Sequence, residues 1–164
     1  MSAPMHNLLP KVEDMITAYV RTNAEIWSDV NVYGSMEVIT GESSSGRGLK
    51  VPWVTCICDT ATPMVDDVDA PEVNMEDIIL KIEIITRSRD DSINVITCRQ
   101  NHNDLVGKIK GLFRHSDIVT LLNAVGIEGV AIIRMSRPRQ SFGPMDNLYR
   151  TQLEYNLTAY AVET

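Results

Sequence analysis

Several features that would assign a function at once are missing from this sequence. No apolar run approaches the roughly 18–20 residues that a membrane-spanning helix needs. The N-terminal residues show no basic segment followed by an apolar one, so we expect no secretory signal. The three cysteines are Cys56, Cys58 and Cys98. An odd number without a signal indicates reduced thiols in a cytosol rather than disulfide bonds.

The sequence also lacks the excess of positive charge that is typical of nucleic-acid-binding proteins. Its 22 acidic and 15 basic residues give a net charge of −7. A dedicated nucleic-acid binder needs a basic footprint that displaces counterions, so this class is disfavoured. An acidic surface would still let DNA slide past, because it repels the phosphates.

The motifs that usually carry catalysis or cofactor binding are incomplete. The stretch 41–48 resembles a phosphate-binding loop, but Arg47 and Gly48 stand where that loop needs Lys and then Ser or Thr. Cys56 and Cys58 are one residue apart on a predicted strand, which is not the usual spacing of a structural zinc site. We therefore interpret them as small buried side chains.

The three histidines do not form a recognisable catalytic set. His6 lies near the N-terminus, and His102 and His115 flank a predicted helix, where we expect them to be caps or surface groups. The acidic residues lie mostly in a predicted loop, without the burial that raises a carboxyl pKa for catalytic use. We therefore predict no catalytic, cofactor-binding or metal-binding residues, no cofactor, and no enzymatic activity.

Apolar residues at three- and four-residue spacing predict three helices. The first covers 7–27 and places Glu13 on its polar face; the second ends near 114 and the third covers 117–125. The predicted terminal residues are Asn101 or Asn103 and Ser116 as N-caps, and Gly126 after the third helix.

Alternating apolar and polar residues predict four strands. They cover 49–59, 76–87, 130–137 and 150–162, and residues 36–40 allow a further short strand. This order favours an α+β fold. We expect a mixed, mostly antiparallel four-stranded sheet, with an N-terminal helix and two central helices packed on one face. A single domain over 1–164 is predicted, with long inter-strand loops at 28–48 and 59–77 and a further loop at 138–144.

Charge is unevenly distributed along the chain. Residues 59–77 contain seven acidic side chains and no basic one, whereas three arginines gather near an aromatic residue at the end of a predicted strand. Complementary patches on one molecule favour head-to-tail contacts, which close into rings. The predicted subunit interface consists of Arg134, Arg137, Arg139, Phe142, Asp66, Asp67 and Asp69. Two ordinary solvated faces are the alternative.

Four stretches together resemble one protein family. They are the opening helix Leu8–Trp27, the strand Ile78–Thr86, the helical stretch Asn103–Val106, and the closing stretch Asn147–Tyr160, in which an aromatic and an arginine precede a long alternating strand. In element order the chain resembles the tail terminators of long-tailed bacteriophages, also called tail-completion or minor tail proteins.

The resemblance implies a structural virion protein without chemistry of its own. Such a protein forms a ring, usually a homohexamer, at the head-proximal end of the tail, where it ends tube polymerisation and offers a surface for head–tail joining. The implied partners are further copies of the chain, the tail tube protein, the neck or connector protein and, in a contractile tail, the sheath. DNA passes through the lumen without specific binding. The implied location is the virion tail or neck, after assembly in the host cytoplasm.

Three alternatives remain open from the sequence. Other phage neck or connector proteins share the same outline. A cytosolic adaptor would bind one partner and stay outside any particle. A small enzyme whose site is dispersed in the sequence is a third, because catalytic groups need not be adjacent along the chain.

Overall fold

Three helices and six strands form the part of the chain that this computed structural model describes, residues 8–23, 30–34, 52–63, 75–87, 95–127, 129–145 and 148–161. In chain order they are α1 (Leu8–Asn23), β1 (Asn31–Gly34), β2 (Trp53–Pro63), β3 (Met75–Arg87), α2 (Val95–Leu112), α3 (Ile118–Asn123), β4 (Val130–Met135), β5 (Arg139–Met145) and β6 (Leu148–Ala161). The predicted strand at 36–40 and the Gly/Ser stretch 41–48 lie outside these residues.

The strands form one six-stranded sheet, in the order β1-β2-β3-β6-β4, that curls as a half-barrel. β1 is parallel to β2, and every other pairing is antiparallel. β4 and β5 share one side of β6, since β4 pairs with its second half and β5 with its first. The α+β class and the mixed, mostly antiparallel sheet are confirmed, but the predicted number of four strands is wrong.

The core lies between one face of the sheet and the helices. On β3, Ile78, Leu80, Ile82 and Ile84 are all fully buried. The residues directly opposite them on β6 are Leu157, Tyr155, Leu153 and Thr151, which are also buried. Because successive strand side chains alternate between faces, this is the pattern that the sequence displays over 76–87 and 150–162. Both strands are confirmed.

Helix α1 closes the core against the end of α2 and against β6. The Tyr19 hydroxyl donates a hydrogen bond to the Leu112 carbonyl oxygen at 2.5 Å. The Tyr19 ring meets Phe113 edge to face with centroids 5.6 Å apart, and Phe113 in turn lies 5.1 Å from the Tyr155 ring. This chain of contacts holds the two longer helices on one side of the sheet and fixes the connection that follows α2.

Glu13 departs from the prediction that it lies on a polar face. It is buried, and its Oε2 accepts the backbone N–H of Cys58 at 3.0 Å. β1 ends at Gly34, opposite Cys56, so the Cys58 N–H lies beyond its last residue. A buried backbone donor needs an acceptor, and the Glu13 carboxylate supplies one for Cys58.

Two strands occupy segments that were predicted to be loops. β1 lies within 28–48, and β5 covers all but the first residue of 138–144 and extends to Met145. In β1, Val32 and Tyr33 are both buried, so its four residues show no alternation. In β5, residues 139–142 are all exposed at the sheet edge. A strand that does not have one solvent-exposed and one buried face shows no alternation of apolar and polar residues, so the sequence does not reveal it.

The predicted loop 59–77 is shorter than expected at both ends. β2 continues to Pro63 and β3 begins at Met75, because Asp59 and Thr60 still pair with Ile79 and Ile78. A strand continues through polar residues as long as its backbone remains paired with that of the neighbouring strand. Pro63 is the last residue of β2, a position where its missing N–H is tolerated.

The central helices begin differently from the prediction. α2 starts at Val95, so Asn101 and Asn103 are exposed interior residues rather than caps. α3 starts after Asp117 without a side-chain cap, so the prediction that Ser116 caps it is wrong. Gly126 has a φ of 84°, a conformation that favours glycine, and follows the end of α3 as expected.

Candidate interaction surface

The surface of interest begins where β4 gives way to β5. Residues 136–138 leave the strand pairing, yet Ser136 stays attached to β6. Its N–H donates to the Asn156 carbonyl oxygen at 2.7 Å, and its hydroxyl accepts the Asn156 N–H at 2.9 Å. These two hydrogen bonds to Asn156 keep β4 and β5 on the same side of β6. Arg137 remains exposed between the two strands.

A pocket of about 700 Å³ opens beside this break, and we call it the cationic pocket. The end of α2, the connection to α3, the β4–β5 break and β6 build it. Its lining residues are Lys110, Phe113, Arg114, His115, Ser116, Ile118, Met135, Ser136, Arg137, Pro138 and Tyr155. Three permanent cations line it, and none of these residues carries a carboxylate.

Tyr155 is the most buried polar group of the cationic pocket. The side chain is 1% exposed, and its hydroxyl has no hydrogen-bond partner within the described part of the chain. Burial raises the pKa of Tyr155 to about 12, against the opposing effect of the Arg114 charge. The hydroxyl therefore keeps its proton at neutral pH.

A second pocket, of about 470 Å³, shares Met135 and Ser136 with the first, and we call it the Arg134 pocket. Here the charges are paired within the chain. Arg134 Nε donates to the Thr158 hydroxyl at 3.0 Å, and that hydroxyl donates to Asp77 Oδ1 at 2.8 Å. Arg134 Nη2 also lies 3.9 Å from Asp77 Oδ1. This site is electrostatically balanced.

The structure thus separates the arginines that the sequence grouped together. Arg137 joins Lys110 and Arg114 in the cationic pocket, whereas Arg134 is engaged with Asp77 and Thr158. Arg139 is exposed at the start of β5, opposite Glu154 on β6, and lines neither pocket. The predicted acidic partners Asp66, Asp67 and Asp69 lie outside the described residues.

Phe142, the predicted aromatic contact, is 50% exposed on β5. Its ring centroid lies 6.1 Å from both the His102 ring and the Tyr149 ring. Half of a large apolar side chain is therefore presented at the sheet edge, next to the buried His102 ring and the partly buried Tyr149 ring. Such an anchored aromatic is typical of protein interfaces.

His102 is not the capping or surface group that was predicted. It is fully buried, with Nδ1 2.8 Å from the Thr86 hydroxyl and Nε2 2.7 Å from the Thr151 hydroxyl. Burial lowers its pKa to about 4, so the ring is neutral at pH 7. Because one ring nitrogen donates and the other accepts, the two threonines satisfy it completely. His115 is exposed, as expected.

Cys56 and Cys58 are buried, as the sequence indicated, and Cys98 is buried as well. Burial raises the pKa of Cys56 to about 12 and that of Cys58 well above its ordinary value, so both stay protonated. Nucleophilic attack and metal binding need the thiolate. Within the described ranges, no three His, Cys, Asp or Glu side chains are grouped so that they could hold a metal ion. None of the described helices is long and apolar enough to span a membrane.

Sequence inspection missed Lys110, Arg114 and Tyr155 as members of the site. The first two are ordinary basic residues near the end of a helix, and Tyr155 belongs to the apolar stripe of β6. One available signal was the cluster of four basic residues between 108 and 115. Their approach to Arg137 depends on how α2 lies against β6, which no local pattern encodes.

Two comparisons with known proteins were negative: no protein-family model matches this sequence, and no curated protein matches it.

Proposed function

We propose that this chain is a structural virion protein that assembles into a ring at the head-proximal end of a phage tail. The single observation that carries the proposal is the unbalanced charge of the cationic pocket on a chain whose net charge is −7. One molecule thus carries a concentrated positive site and a strongly acidic stretch. Unlike surfaces on one molecule favour heterologous contacts, and these close into rings when the rotation permits.

The outer edge of β4 is already hydrogen-bonded within the chain. A neighbouring subunit therefore contacts this edge through side chains and does not add a strand to β4. Asn123 Oδ1 accepts the Ile132 N–H at 2.8 Å, and Asn123 Nδ2 donates to the Ile132 carbonyl oxygen at 3.0 Å. The outer edge of β4 is therefore occupied by α3. Proteins cover strand edges in this way to prevent uncontrolled pairing, and a contact through Arg137, Arg139 and Phe142 then sets a defined geometry.

The order of the elements that the sequence predicts supports the same proposal, since the resemblance to tail terminators was noted for that order; β1 and β5 are additional strands in the structure. In this account the partners are further copies of the chain in a homohexameric ring, the tail tube protein below, and the neck or connector protein above. In a contractile tail the sheath is a further neighbour. The chain acts in the virion and without chemistry, and the acidic composition lets DNA pass.

A growth assay with the tail tube protein tests the proposal. Tubes are allowed to polymerise with increasing amounts of this chain, and their lengths are measured by negative-stain electron microscopy. We expect shorter tubes with density at one end, because a bound ring blocks further addition. Tubes of unchanged length with free ends would contradict the proposal.

A second candidate function is an adaptor that binds one acidic partner and joins no particle. The observations that favour it are the half-exposed Phe142 and the unbalanced cationic pocket, which suit a single protein partner equally well. The growth assay separates the two functions, since an adaptor leaves tube length unchanged.

A further inference from the structure

The Tyr155 hydroxyl is a donor without an acceptor. Within the described residues it has no hydrogen-bond partner, although the side chain is almost wholly buried. Buried polar groups in folded proteins are nearly always paired, so an exception needs an explanation. Tyr155 lines the cationic pocket and feels the charge of Arg114, which lines it too. Its missing acceptor is therefore sought in the pocket.

The charged side chains that line the cationic pocket also lack an anionic partner among the described residues. Lys110 donates to the Gln140 side chain at 2.9 Å, but Arg114 and Arg137 form no salt bridge with any described residue. Lysine, arginine and a protonated tyrosine offer only donors to an anion, whereas an ionised carboxylate is an acceptor only. Donors of this kind converging from three elements are complementary to a carboxylate.

The other lining residues are mostly apolar, and they favour a peptide carboxylate over a small hydrated anion. Phe113, Ile118, Met135 and Pro138 form one part of the lining. A small hydrated anion gains nothing from such walls, whereas a peptide that places a carboxylate beside an aliphatic side chain uses both. The pocket therefore favours an acidic segment interspersed with apolar residues.

We propose that the cationic pocket binds the acidic segment 64–73 of a second copy of this chain. This segment has the sequence Met-Val-Asp-Asp-Val-Asp-Ala-Pro-Glu-Val, which alternates carboxylates with small apolar side chains. One carboxylate accepts a hydrogen bond from the Tyr155 hydroxyl and pairs with Arg114 and Arg137, while a neighbouring aliphatic side chain packs on the apolar walls. The inference rests on the proposed ring and names the contact that closes it.

Chain length favours a second copy over the same one. The segment starts and ends at adjacent strands, since Pro63 is paired with Glu76. Fully stretched, its tip extends about 20 Å from there. Met75 pairs with Tyr160 on β6, roughly 17 Å along that strand from Tyr155, and β6 itself must still be crossed. Binding within one copy therefore demands almost complete extension, which a second copy does not.

Binding of a labelled peptide tests the inference. A fluorescent peptide covering residues 62–76 is titrated with the full chain and followed by anisotropy. We expect saturable binding that weakens at least about tenfold when salt rises from about 0.05 to about 0.5 M, because charge pairs near a surface are screened. The control peptide carries Asn at 66, 67 and 69 and Gln at 72, and we expect it not to bind.

Three variants assign the binding to the pocket. Tyr155→Phe should weaken peptide binding about tenfold while leaving the fold intact, because it removes one donor to a charged group. Arg137→Glu should abolish measurable binding. Arg99→Glu is the charge-matched control, since Arg99 is exposed on α2 and lies roughly 16 Å along the helix from Lys110; its binding should be that of the wild type.

The outcomes separate this inference from the proposed function. Absence of peptide binding, or equal binding by Tyr155→Phe, Arg137→Glu and the wild type, would overturn the inference. Displacement of the peptide by inorganic phosphate at millimolar concentration would also overturn it, in favour of a small-anion site. Peptide binding in trans together with unaffected tube growth would support the pocket and reject the terminator function; the reverse pair of results would reject the pocket alone.

Discussion

The two pockets at the β4–β5 edge differ in how their polar groups are paired. In the Arg134 pocket, the arginine, the Thr158 hydroxyl and Asp77 are joined to one another. In the cationic pocket, three cations and the Tyr155 hydroxyl meet no carboxylate among the lining residues. The first arrangement is complete within one chain and stabilises it. The second has no counter-charge among its lining residues, which is why we propose that a partner supplies it.

His102 and Phe142 show a similar contrast between a buried group with partners and an exposed one. His102 is buried between two threonine hydroxyls and is fully satisfied, whereas the Phe142 ring that covers it is half exposed. His102, Thr158 and Asp77 are thus paired within the chain, whereas the exposed Arg114 and Arg137 form no salt bridge with any described residue. Substitutions of the paired residues and of the unpaired residues test this distinction.

The largest effect is expected from reversing charge on the outward side. Arg137→Glu combined with Arg139→Glu should remove ring assembly, because it turns attraction toward an acidic neighbour into repulsion. Both residues are exposed, so the free energy of unfolding should change by less than about 0.5 kcal/mol. Analytical ultracentrifugation and thermal denaturation measure the two quantities. Unchanged assembly with unchanged thermal stability would contradict the assigned interface.

A smaller effect is expected from titrating His102 on the inward side. Its pKa is about 4 in the folded chain and 6.5 ordinarily. Between these values the unfolded chain binds more protons, so the free energy of unfolding should fall as pH drops from 6.5 toward 4. We expect a loss of about 2.5 kcal/mol over this range.

Denaturant titrations at several pH values measure this loss. His102→Gln is the matched variant, because it keeps polar atoms at the site but cannot titrate. Whatever the absolute stability of the variant, the part of the pH dependence that is due to His102 should vanish. An identical slope in the variant and the wild type would show that His102 does not contribute.

The smallest effect comes from a matched pair of hydroxyl deletions. Thr158→Val removes a hydroxyl that bridges Arg134 and Asp77, so it should cost about 1–2 kcal/mol. Tyr155→Phe removes a hydroxyl with no partner in the described chain, so it should be neutral or stabilise by up to about 1 kcal/mol. Chemical denaturation compares them. Equal destabilisation by both would remove the distinction between the two pockets.

The sequence predicts those parts of the fold in which one face is buried and the other wet. β3 and β6 alternate because Ile82 and Leu153 face the helices while Glu83 and Gln152 face away. β5 was missed because its side chains are exposed at an edge, where no alternation arises. Local patterns report burial on one face, and an edge strand has little of it.

The candidate site was less predictable, for a different reason. Arg137 was singled out from the sequence, but its neighbours Lys110 and Arg114 come from α2 and Tyr155 comes from β6. His102 looked like a cap because polar residues flank it, and its burial follows from how α2 packs on β3 and β6. Pairing of charges is decided by tertiary contacts, which single-sequence patterns do not contain.

Electron microscopy of the concentrated chain, alone and mixed with tail tubes, tests the central claim most directly. The account predicts closed rings with an open lumen, or ring-shaped density on tube ends, and predicts that the peptide of residues 62–76 disperses the free rings. Monomers that ignore the tubes at all concentrations would contradict it.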